Sequence, residues 1–237
     1  MNSAEQKRAA AAAALAWVAP RLHRDLVLGI GTGSTADHFI DLLGPHRASF
    51  AGAVASSSRS AERLAGLGVT IYDLNDVGEL PIYVDGADEI NARLEMTKGG
   101  GGALTREKIV AAAAAVFVCI ADSSKRVPAL GKFPLPVEVI PMARAQVVRA
   151  LTDLGRHEAL GESSIAVRAA ADGHAVVTDN GNLIVDVSGW TIAEPRRIEP
   201  LIGGIVGVVE SGLFALRGAD VLLLAGVDGV ETIGRPR

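Results

Sequence analysis

Cysteine is almost absent from this chain: Cys119 is the only one in 237 residues. A disulfide framework is therefore excluded, and the thiol, set in the apolar stretch VFVCIA, reads as a small buried side chain suited to a reducing cytosol. Basic runs are missing as well. Lys and Arg are scattered, the net charge is −4 and the sequence pI is about 5.7. That disfavours a nucleic-acid partner, whose footprint is a basic stripe. No apolar run approaches the roughly 18 residues of a membrane span. The five histidines (His23, His38, His46, His157 and His174) show no metal-ligand spacing. Aromatic residues are only 4% of the chain, yet 49% is hydrophobic, enough for one sizeable core or a main domain with a smaller appendage.

The N-terminal KRAAAAAALAWVAP superficially resembles a secretory leader, but its run is mostly alanine. Ser3 with Gln6 makes a capping box, so the segment reads as an ordinary helix. Strand and helix patterns then alternate. DLVLGI, FAGAVASS, VTIYDL, LPIYVD and VFVCIADSS read as strands, with helices in STADHFIDLLG, RSAERLAGLG and ALTREKIVAAAAAVF. Alternation of this kind means βαβ units, a mostly parallel sheet, and loops gathered at the carboxyl ends of its strands. Beyond KFPLPVEVIP the pattern changes. MARAQVVRALTDLG is an amphipathic helix, HAVVTDNGNLIVDVSG a hairpin turning at Asn180-Gly181, RRIEPLIGGI a short helix, and ADVLLLAG a returning strand. The expected fold is α/β: a mostly parallel Rossmann-like sheet flanked by helices, with a smaller inserted α+β domain. Residues 1–131 with 208–237 would form the catalytic domain and 132–207 the small one.

Four stretches carry chemistry. GIGTGST places small residues between a strand and a helix, where backbone amides, the helix dipole and the hydroxyls of Ser34 and Thr35 suit an anion. A tight turn with no ligand fits the same text. Two nucleotide motifs fail on spacing: GxGxxG needs glycine where Ser34 stands, and no Gly-Lys-Ser/Thr tripeptide occurs. DGADE sets Asp85, Asp88 and Glu89 past a strand end, for acid/base work, Mg²⁺ or simple turn capping. KGGGGALTREK exposes a run of amides between Lys98 and Glu107, more glycine than a helix cap requires. ADSSK brings Lys125 to another strand end.

In this order the stretches resemble the A type of ribose-5-phosphate isomerase, through GIGTGSTADHF, IYVDGADEIN, KGGGGALTREKI, ADSSK, GKFPLPVEVIPMAR, VTDNGN and GLFALRGADV. The resemblance covers nearly the whole chain and is loosest in the Ala-rich N-terminus and in LGRHEALGESSIAVRAAADGHA. It implies reversible interconversion of D-ribose 5-phosphate and D-ribulose 5-phosphate in the non-oxidative pentose phosphate pathway, without metal or organic cofactor. It makes Glu107 the general base, with Asp85, Asp88 and Lys98 also catalytic. Substrate binding falls to Thr32, Gly33, Ser34, Thr35, Asp85, Gly86, Ala87, Asp88, Lys98, Gly99, Gly100, Gly101 and Lys125, with Lys7 a further candidate. The partner implied is a small sugar phosphate, not nucleic acid or a membrane. The setting implied is a cytoplasmic homo-oligomer, dimer or tetramer. The alternatives are a sugar-phosphate sensor module, or another sugar-phosphate enzyme of the same fold.

Overall fold

The computed structural model describes residues 1–234, and the chain divides into two compact units. The first comprises Met1–Ala87, Arg106–Arg126 and the chain from Arg217 onward; the second comprises Asp88–Thr105 and Val127–Leu216. This differs from the division expected at 131/132 and 207/208. The reason is a small sheet: Glu89–Ile90 pairs with Met96–Thr97, which pairs with Leu213–Phe214. That ladder draws both flanking segments into the second unit.

The first unit is built on a six-stranded sheet. Its strands run Gly229–Gly234, Val221–Gly226, Ala114–Asp122, Leu80–Asp85, Val27–Ile30 and Gly52–Ala55 across the sheet, parallel except for the first. Alternation decides the packing. Leu28 and Ile30 are fully buried in a cluster with Ala10, Ala11, Ala14 and Val18 of the N-terminal helix and Phe39 and Ile40 of the helix Ser34–Leu43. Burying side chains of this size contributes about 1.5–3 kcal/mol each. Gly29, between them, faces the other way, where a Cβ would meet Tyr83, Leu80 and Val110. Helices thus cover both faces, as parallel strands require.

The second unit carries a four-stranded antiparallel sheet, ordered Val208–Ser211, Leu135–Val139, Leu183–Ser188 and Ser164–Val167. Its core joins Val137, Val139, Val185 and Val187 to Val147 and Leu151 of the helix Arg144–His157 and to Ile198 and Ile202 of the helix Pro195–Gly203.

Several local expectations are corrected. The capping box at the start of the helix Ser3–Val18 uses Asn2 and Glu5, one residue earlier than the Ser3/Gln6 reading. The alanine run does not continue the fourth helix: Leu104–Ala113 is helical and Ala114 already pairs with Leu80. Sheet pairing there overrides alanine's helix propensity. VTIYDL contributes only a bridge between Ala53 and Ile71, then a 3₁₀ turn in which the Asp73 side chain accepts from Asn75 N at 2.8 Å. The Asn180-Gly181 turn exists, with Gly181 at φ +80°, but its upstream arm forms isolated bridges only. The main partners of Leu183–Ser188 are Leu135–Val139 and Ser164–Val167. The hairpin of Val221–Gly226 with Gly229–Gly234 is a further element, one that the sequence pattern does not indicate.

Candidate active site

In the first unit the GTGST turn is tied down from below. Gly31 N donates to Val84 O at 2.9 Å, and a Cβ on Gly31 would fall 1.9 Å from Asp85 Cγ. Only glycine permits that approach. The fully buried Asp85 accepts from Thr32 N at 3.0 Å, from Gly86 N at 2.7 Å, and from the Tyr83 hydroxyl. Thr32 Oγ1 lies at 2.8 Å from Ser57 Oγ and 3.1 Å from Ser56 Oγ, and Ser60 Oγ donates to Gly31 O at 2.8 Å. Gly33 takes φ +118° at the helix start, Ser34 is exposed and Thr35 half-buried.

The N-terminal helix reaches two loops of this unit. Lys7 Nζ donates to Ser34 Oγ at 3.0 Å, and Gln6 Oε1 accepts from Ser123 N at 3.2 Å and Ser123 Oγ at 3.0 Å. Lys125 closes the 3₁₀ turn Ser123–Lys125 and is half-buried. Lys7, in the stretch where the family resemblance is loosest, is therefore placed at the turn by a direct hydrogen bond. Glu107, in the first turn of the helix Leu104–Ala113, is only 3% exposed. The Tyr83 ring lies tilted against Phe117, with centroids 4.8 Å apart. Burial raises its phenol well above the ordinary value, and the negative charges of Asp85 and Glu107 push it further.

The second unit holds the glycine loop. Lys98 is 2% exposed; its backbone N donates to Gly212 O at 2.9 Å and its ammonium lies 5.5 Å from the centre of the Phe214 ring. Gly99 (φ +103°) and Gly102 (φ +83°) need glycine's left-handed freedom, while Gly100 and Gly101 are exposed. Gly100 N donates to Asp88 Oδ2 at 2.7 Å, and Asp88 is half-buried. Arg168 donates through Nη1 to Gly99 O at 2.8 Å and Gly100 O at 3.0 Å, while its Nε and Nη2 hold Asp186 at 2.8 and 2.5 Å. Thr105, two residues before Glu107, donates to the fully buried Glu138, whose other donors are Thr178, Asn180 and Asn182.

Each carboxylate of DGADE thus has its own partners: Asp85 the GTGST turn, Asp88 the glycine loop, and Glu89 the amides of Gly131 and Phe133 at 2.8 and 2.7 Å. Gly86 and Ala87 are half-buried between them in sequence. Among the described residues no three His, Cys, Asp or Glu side chains are grouped to hold a metal ion. Likewise no described helix is long and apolar enough to cross a membrane. Cys119 is fully buried. Tyr83, the serine cluster, Arg168 with Asp186, and Glu138 were missed by the sequence reading. Only VTDNGN and PVEV, unexplained by any local chemistry, could have pointed toward the last.

A mostly parallel α/β sheet with small-residue turns at the carboxyl ends of its strands is the frame of a broad class of ligand-binding α/β enzymes, and comparison makes it specific. The family model for ribose 5-phosphate isomerase A (phosphoriboisomerase A) matches residues 52–229, and the chain belongs to that family. The ribose 5-phosphate isomerase A of Neisseria gonorrhoeae is 43% identical, with a TM-score of 0.88 over 100% of this chain and 99% of that one. A D-ribose-5-phosphate isomerase solved in complex with phospho-erythronic acid is 33% identical, with a TM-score of 0.89 over 99% and 100%. The Methanocaldococcus jannaschii ribose 5-phosphate isomerase A is 36% identical, with a TM-score of 0.85 over 97% and 98%. The chain is an aldose–ketose isomerase interconverting ribose 5-phosphate and ribulose 5-phosphate, as its sequence motifs implied.

Proposed function

We propose that the isomerisation runs through an enediolate, with Glu107 as the single carrier of the proton between carbons. In the aldose-to-ketose direction its carboxylate takes the proton from C2 of open-chain ribose 5-phosphate, the electron pair moves to O1, and the same group returns the proton to C1. A carboxylate suits this when it is withdrawn from water, because desolvation brings its basicity toward the working pH. The observation that carries the reading is the pair of buried charged side chains bounding the glycine loop in sequence, Lys98 at 2% and Glu107 at 3% exposure. A buried ammonium and exposed loop amides are fixed donors for a developing oxyanion. Donors already aimed at the place where charge develops stabilise it without reorganising, and this effect dominates such catalysis.

Asp85 spends its oxygens on Thr32 N, Gly86 N and the Tyr83 hydroxyl. Its proposed contribution is to hold the turn and the substrate-facing backbone of Gly86 and Ala87. The half-buried Asp88 is the better candidate to move the proton between O1 and O2. The phosphate goes to Thr32, Gly33, Ser34, Thr35, Lys125 and Lys7, where a helix N-terminus and two ammonium groups favour an anion. Phospho-erythronic acid, bound by a 33% identical relative, carries a phosphate and a planar anionic carboxylate resembling an enediolate, and is the natural probe. The proposed setting is the cytoplasm and the pentose phosphate pathway. The proposed assembly is a homo-oligomer, a dimer foremost: exposed Ile140, Met142 and Val206 gather where Ile140 N bonds Gly207 O at 3.0 Å.

Proton NMR of ribose 5-phosphate in D₂O with EDTA tests the mechanism. Wild-type protein is expected to form ribulose 5-phosphate with deuterium entering at the exchanging carbon. Glu107→Gln should lose about 10²–10⁴-fold in turnover while still binding phospho-erythronic acid. Near-normal turnover by the variant would move the base elsewhere, and loss of activity in EDTA would bring a metal into the reaction.

A further inference from the structure

The glycine loop poses a problem for the role just given to it. Four consecutive glycines make peptide rotation cheap, so amides meant to meet an anion can turn and present a carbonyl oxygen instead. Donors that reorient during reaction forfeit most of their advantage. The loop therefore needs something that fixes which way its peptides face.

Arg168 meets that need. One of its nitrogens, Nη1, takes the carbonyls of both Gly99 and Gly100. In a planar trans peptide the carbonyl and the following N–H point in opposite directions. Drawing both carbonyls to one guanidinium thus turns the amides of Gly100 and Gly101 away from it. The first of these amides is accounted for, since Gly100 N donates to Asp88 Oδ2 at 2.7 Å. The second, on an exposed residue, points away from the guanidinium.

The arginine is itself held rigidly. Asp186 grips its other edge in a two-point pair, with side chains only 16% and 23% exposed. Its backbone is fixed on both sides: Arg168 N donates to Ile184 O at 2.8 Å, and Val176 N donates to Arg168 O at 2.9 Å. Asp186 sits within the strand Leu183–Ser188, paired with Ala166. Arg168 makes four bonds, two to carbonyls and two to the carboxylate, one more than the three N–H donors of an ammonium supply.

We propose that Arg168, clamped by Asp186, is a positioning residue for the isomerisation, holding the Gly99 and Gly100 carbonyls so that the Gly100 amide stays on Asp88 and the Gly101 amide stays presented to the enediolate. This rests on the reading of the loop as the oxyanion site. The test compares Arg168→Met, Arg168→Lys and Asp186→Asn with Lys98→Ala and Glu107→Gln. Each is assayed for kcat and KM on ribose 5-phosphate, Kd for phospho-erythronic acid, and hydrogen exchange of the Gly99–Gly101 amides.

Arg168→Met is expected to lower kcat about 10–100-fold, the scale of a small misplacement of catalytic groups. KM should change little, phospho-erythronic acid should bind more weakly, and the loop amides should exchange faster. Arg168→Lys should recover part of the loss. Wild-type kcat in Arg168→Met, or a loss of kcat that follows thermal stability alone with no change in loop exchange, overturns the proposal. If Arg168→Met does not fold, Asp186→Asn, which leaves the guanidinium but loosens its grip, carries the same expectations. Should Lys98→Ala and Glu107→Gln keep full turnover, the reading of the site fails. Should they be impaired while Arg168→Met and Asp186→Asn are normal, only the positioning role fails.

Discussion

Tyr83 and Asp85 illustrate how much a single contact can decide. The phenol is fully buried and donates to Asp85, and burial together with the two neighbouring carboxylates keeps it protonated above its ordinary titration range. The folded protein thus retains a proton that the unfolded chain releases near pH 10. Stability from this group is complete below that pH and is lost as pH rises further, because there the unfolded state binds fewer protons. Tyr83→Phe is accordingly expected to flatten the alkaline limb of a plot of unfolding free energy against pH. An unchanged limb would show that other groups govern it. Gly31 belongs to the same scale: nothing in GTGST announces that this glycine is needed because Asp85 lies against it.

Among the elements, the N-terminal helix has the least expected part. Its alanines fill the core, with Ala10, Ala11 and Ala14 fully buried. The preceding turn sends Gln6 to Ser123 and Lys7 to Ser34. Lys7→Met is expected to raise KM for ribose 5-phosphate about 10–100-fold, the loss of one hydrogen bond to a charged group. Because the phosphate proposed to meet Lys7 is unchanged by the reaction, that contact would serve ground state and transition state alike, and kcat should hold. A fall in kcat at constant KM would instead place Lys7 beside the reacting carbons. Elsewhere the elements show where local preference yields. The alanine run from 111 to 115 is helical by composition, yet from Ala114 the chain is a central strand, because Leu80 pairs with Ala114 and Ile82 with Val116.

For the molecule as a whole, the remaining question is self-association of a 24.4 kDa chain. Met142 is 96% and Val206 83% exposed. Polar replacement there should hardly affect the folded chain, since exposed sites usually tolerate substitution within about 0.5 kcal/mol. Met142→Glu, alone and with Val206→Glu, is expected to lower the mass measured by light scattering without changing thermal stability of the dissociated chain. A wild-type mass of one chain would sink the proposed self-association, and a larger mass unaltered by the substitutions would move it to another surface.

The amino-acid sequence by itself determined the βαβ alternation, the strand–turn–helix character of GTGST and the presence of a carboxylate, Glu107, after the glycine loop. These depend on periodicity, on glycine's backbone freedom and on residue types close together in the chain. Its motifs were also specific enough to indicate the family. Tertiary structure alone decided that DGADE is three separate anchors rather than one cluster, and that 88–105 leaves the main sheet for the second unit. It also decided that Arg168 and Glu138 bear on the loop and helix start from 69 and 33 residues away in sequence. Partners at such separations leave no local pattern, because a buried carboxylate or a guanidinium fork is defined by what surrounds it in space.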